Sequence, residues 1–170
     1  MAAMSVTGMA WSALLVAAVV PAAVHALRRS PLWHRISLPA PLALPLLVLA
    51  HAWSVLGDLA GARPPGGALV TEPLLLSTAV LFWLPVLAHT RHRLDDAARC
   101  LYLFLAAPFL DLPAVAVIAA GHSAAGLAMI VGMLPLGIMA AALTWSWVDR
   151  EEREARRAAL PAPGGDPFAR

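Results

Sequence analysis

The sequence predicts an all-α, polytopic transmembrane bundle of about five spans, with its N-terminus outside and its C-terminus in the cytoplasm. Three observations carry that prediction. Hydrophobic residues make up 61% of the 170, charged residues only 13%, and the mean hydropathy is +0.76, whereas a soluble domain carries roughly 25% charged residues. Five apolar stretches are long enough to cross a hydrocarbon core of about 30 Å, which takes about 20 helical residues. Finally, the arginines sit at alternate ends of those stretches.

The stretches cover about 9–27, 38–59, 68–88, 97–120 and 123–148. Each is continuous, without the alternation of a barrel strand, and a helix satisfies its own backbone groups in lipid. The first lacks a basic lead and is followed by Arg28 and Arg29, the reverse of a cleaved leader's charge order, so it is expected to remain a helix. Pro39, Pro41 and Pro45 crowd the start of the second and predict a distorted beginning there. Pro85, Pro108, Pro113 and Pro135 fall inside later spans, where each removes a backbone donor. The fourth and fifth spans meet at a tight turn around Gly121, His122 and Ser123. Residues 149–157 are expected to extend the last helix as a charged tail, with disorder from about 160 onward.

Orientation follows from the arginines. Eleven of the twelve fall in the first loop, the third loop and the tail, and only Arg63 falls on the other side. That asymmetry places the first set in the cytoplasm. The same clustering at span ends leaves no basic stripe for nucleic acid. Arg28 with Arg29, and Arg91 with Arg93, are adequately explained by this topogenic role, with anionic lipid as a further reading.

Ionisable residues inside a bilayer are costly, so each asks for a partner or a role. At about 1.5 Å per residue, His51 lies about 12 Å below the outer end of the second span and Asp111 about 14 Å below that of the fourth. Asp58, Glu72 and His122 also fall in the outer half, while the inner half holds only His25, His89 and Cys100 near helix ends. His51 and Asp58 are seven apart on one helix face, and Met129 and Met133 follow His122 at seven and eleven. Imidazole and thioether donors together suit copper, with thioethers favouring Cu(I). The candidate ligands are therefore His51, Asp111, His122 and Met129, with Met133, Glu72 and Asp58 behind them. Packing explains the methionines equally well, and a protonated Asp111 bonded to a neighbouring helix is the alternative there.

Cys100 stands alone, which excludes internal disulfides and CxxC metal sites. No Walker loop, dinucleotide fingerprint, HExxH or serine elbow occurs, so no enzymatic activity is expected. Trp11, Trp33, Trp145 and Trp147 lie near span ends as an aromatic belt would, while Trp53 and Trp83 are deep enough to line a cavity. Ala128 and Gly132 would permit a close helix contact.

From the third span onward the chain resembles the CtaG-like family of cytochrome c oxidase assembly factors. Residues 81–87, LFWLPVL, resemble that family's FWWP-type segment, and 99–105, RCLYLFL, the start of its following span. Residues 125–132, AGLAMIVG, resemble its AGLIMWxxG segment, and Trp145 through EEREARR at 151–157 resembles the family's exit from the last helix. The resemblance covers 74–157 and implies a multi-pass protein of the bacterial inner membrane that handles copper on the extracytoplasmic side. Membrane lipid, oxidase subunits and copper chaperones are the implied partners. The chain departs from the pattern in lacking the early paired histidines. It also has Glu72-Pro73 where the family has Glu-His, and His122-Ser123-Ala124 where an acidic lead is usual. Two other readings remain open: a haem held by His51 and His122, and a proton-coupled transport module using His51 and Asp111. The first is strained by a depth difference of roughly 12 Å between the histidines.

Overall fold

The computed structural model describes residues 6–62 and 67–159, apart from the side chains of Asp58 and Ala68. Asp58 as a ligand, the position of Arg63 and the expected disorder from 160 fall outside the described residues. Among the described residues every regular element is helical. The first span joins α1 (Val6–Leu14), a π-helical turn (Leu15–Val19) and α2 (Val20–Ala26). A short helix, α3 (Leu32–Ile36), follows. The remaining four spans are α4 (Ala40–Leu59), α5 (Ala68–Leu87), α6 (Asp96–Ala119) and α7 (Ser123–Ala159). All five are long and apolar enough to cross a membrane, which makes this a multi-pass membrane protein.

The prolines act locally. Pro41 falls in the first turn of α4, where no intrahelical donor is needed. The carbonyl of Pro39 accepts from Leu42 and Ala43 at 3.0 and 3.1 Å. Pro45 lies inside the helix, where it has no N–H to give the preceding turn. Pro21 has a different consequence. In the π register Val20 donates to the Leu15 carbonyl; the next donor, for Val16, would be residue 21, which has no N–H. The Trp83 indole takes that place, donating to the Val16 carbonyl at 2.9 Å from a fully buried position on α5.

The spans form a closed ring. α7 packs against both α6 and α1, α6 against α4, α4 against α5, and α5 against α2. The circular order is thus first, fifth, fourth, second, third. Large side chains cross the middle: Phe82 of α5 stacks on Tyr102 of α6 at 4.9 Å between centroids and meets Trp83 edge-on at 5.2 Å. Two glycines allow close approach. A Cβ on Gly126 would stand 2.6 Å from the Ala114 carbonyl of α6, and one on Gly132 would stand 2.7 Å from Ala13 Cβ of α1. Gly132 thus makes the close contact that its spacing predicts. The turn joining α6 to α7 uses Gly121 at φ +90°, open to glycine at no steric cost.

Helix α5 is buried on every side over residues 82–86, whereas α7 buries one stripe and turns the rest outward. On α7 the buried stripe is Ala125, Gly126, Met129, Met133, Leu136 and Ala140, at the 3.6-residue period. Leu127, Val131, Leu134 and Ile138 face outward, as lipid requires. The 37 residues of α7 span about 55 Å, well beyond a hydrocarbon core, and its end is laced by the i,i+4 pairs Asp149–Arg153 and Glu152–Arg156.

Candidate functional site

His51 belongs to the buried stripe of α4, in register with Ala43, Leu47 and Val55. It is 3% exposed, and neither ring nitrogen has a hydrogen-bond partner among the described residues. The ring lies near the backbone of Leu110 on α6, yet outside hydrogen-bond geometry. An imidazole in that position is desolvated without compensation, a state that costs stability unless something joins it.

Asp111, one residue further along α6, is half-buried and makes no hydrogen bond or ion pair among the described residues. It lines a cavity of about 110 Å³ between α6 and α7, with Ala107, Leu110, Ile130, Met133, Leu134, Leu136 and Gly137. The cavity is apolar except for this carboxyl. Its volume suits a few waters or an inserted side chain, well below the roughly 300–1,000 Å³ of a ligand pocket. Asp111 and Met133 are thus brought together on this cavity, whose lining does not include His51.

The other candidates are dispersed. His122 precedes α7 on the exposed turn and offers its carbonyl to the N–H groups of Ala125 and Gly126, both at 3.1 Å. Lying outside the helix, it does not extend the methionine face. Met129 and Met133 are core residues, 2% and 6% exposed. Glu72 is exposed in the first turns of α5. Among the described residues no three His, Cys, Asp or Glu side chains come together, so His51, Asp111 and His122 form no common ligand set. The reason is helix order: α6 stands between α4 and α7 in the ring. Among the described residues, no three imidazole, thiolate or carboxylate donors gather into a metal centre. Trp83 is fully buried and Trp53 is 58% exposed, and neither lines the cavity beside Asp111.

Sequence reasoning overlooked Gly137 and Ala107. Gly137 follows Met133 by four positions, the spacing of a shared helix face, and that periodicity was the available signal. A Cβ on Gly137 would meet nothing within 4 Å, so this glycine keeps the groove open rather than bringing two helices together. No family model, curated protein or solved structure matches the chain.

Proposed function

We propose that this chain is a non-enzymatic assembly factor of the CtaG-like kind, a docking scaffold for cytochrome c oxidase subunits in a bacterial cytoplasmic membrane. The carrying observation is Asp111: an unpaired carboxyl beside an apolar groove open enough to admit another side chain. Exposed to lipid, such a group is costly. A client helix that supplies a hydrogen-bond donor removes the cost, so the groove favours occupation by a transmembrane segment. The family-like segments at 81–87 and 125–132 support the choice of client, and the arginine asymmetry supports an N-out, C-in orientation with Asp111 toward the extracytoplasmic side. The scaffold form needs no metal, and the separated donors favour it over a copper relay.

Cells deprived of the chain are expected to lose assembled oxidase, read as its haem absorbance in isolated membranes. The wild type should restore it, and a Gly137→Trp variant that inserts equally well but fills the groove should not. Undiminished oxidase in the deprived cells, or full rescue by the filled groove, would rule the scaffold out.

A further inference from the structure

We propose that the basic end of the bundle binds the phosphate of an anionic phospholipid, in a site formed by the α2–α3 and α5–α6 loops. Topogenesis asks only that each loop be positive. The structure adds that the two loops are joined: the His89 N–H donates to the Arg28 carbonyl at 3.1 Å, across 61 residues of sequence. Arg28 and Arg29 on one loop thereby lie beside the loop carrying Arg91 and Arg93.

Among the described residues, no carboxylate pairs with Arg28, Arg29, Arg35, Arg91 or Arg93. Residues 27–37 and 88–94 contain five arginines and no carboxylate. The nearest acids in sequence are committed elsewhere, Asp95 to the Ala98 N–H at 2.7 Å and Asp96 to Arg99 and Arg150 at 3.2 and 2.5 Å. Arg28 and Arg91 have only imidazole partners, His25 and His92, at 3.3 and 3.0 Å. A guanidinium fork pairs with phosphate bidentately, so one phosphodiester would relieve several of these charges together.

Helix α3 makes a membrane lipid the source of that phosphate. The Trp33 indole donates to the Leu27 carbonyl at 2.6 Å and holds α3 back against the bundle. Leu32 and Ile36 on α3 are 63% and 46% exposed, next to the exposed Arg35. Bare aliphatic side chains beside an arginine suit an element lying in the headgroup layer. The neighbouring arginines then stand at phosphate depth. Either orientation of the bundle leaves this end at a membrane surface, so the site does not depend on the docking function.

The test is thermal unfolding of the purified full chain in a neutral detergent, with phosphatidylglycerol, phosphatidylcholine or inorganic phosphate added. Phosphatidylglycerol is expected to raise the midpoint by several degrees, and the other two to leave it unchanged. Arg91→Gln/Arg93→Gln should abolish most of that rise. Arg153→Gln/Arg156→Gln, which removes equal charge from the tail, should keep it. Arg91→Lys/Arg93→Lys checks the same site if the glutamine variant fails to fold, and should lower the rise by loss of the fork. An equal response to phosphatidylcholine or to inorganic phosphate would overturn the proposal, as would equal losses in the loop and tail glutamine variants.

Discussion

At the scale of single residues, Trp83 shows how a missing donor is answered from another helix. Its indole meets a carbonyl left over by a π register that runs into Pro21. Replacing Trp83 by Phe would leave the Val16 carbonyl buried and unpaired, at a cost of about 1–3 kcal/mol. In a Pro21→Ala background the helix regains an N–H at that place, so the same substitution should cost less. Thermal unfolding of the four chains in detergent measures that coupling; equal costs in both backgrounds would contradict the account. None of this was legible in the sequence. Trp83 reads there as a deep tryptophan near a cavity, because neither the π turn nor its neighbour across the ring leaves a periodic trace. His51 was legible as buried and in need of a partner, and it remains buried without one.

Helices and turns were the most legible level. Apolar runs of about 20 residues mark the spans, and the Gly121 turn marks the division between α6 and α7. Helix order was not legible, since a face packed on a helix and a face packed on lipid are both apolar. That is why a face read from the sequence does not foretell its neighbour: periodicity tells which residues share a face, as Met129 and Met133 do on the buried stripe of α7, not which helix the face meets. The two classes of glycine on α7 test the packing directly. Gly126→Ala forces its Cβ to 2.5 Å from Ile118 Cγ1 and 2.6 Å from the Ala114 carbonyl. Overpacking of this sort typically costs about 1–3 kcal/mol. Gly137→Ala meets open space and gains roughly 1 kcal/mol of helix propensity. Opposite shifts in the unfolding midpoint are expected; a Gly126 variant as stable as the wild type would contradict the close α6–α7 contact.

For the whole molecule, the Asp96–Arg150 pair and the His89–Arg28 bond gather the first loop, the third loop and the tail at one end. Those are the segments that carry nearly all the arginine. This shared end agrees with an odd number of spans, and from the positive-inside rule we propose that it faces the cytoplasm. A fluorescent protein that matures only in the cytoplasm should glow when fused after Ala159, and an alkaline phosphatase active only outside should work when inserted at Gly61. The reverse pattern would invert the bundle.

The ring also imposes an order on biogenesis. Helices α4 and α5 are neighbours and can pair as soon as both have left the ribosome. Helix α6 can then lean on α4, and α7 on α6. The Val6–Ala26 span has no large contact with α4, the span that follows it: its neighbours are α5 and α7. It must wait in the bilayer, with the Val16 carbonyl unanswered until Trp83 emerges 67 residues later. The final closure belongs to α7, whose Gly132 admits Ala13 from the opposite end of the chain. The Val6–Ala26 span is thus fastened only after α5 and α7 have been made, and a nascent chain stalled before α7 would leave it held from one side only.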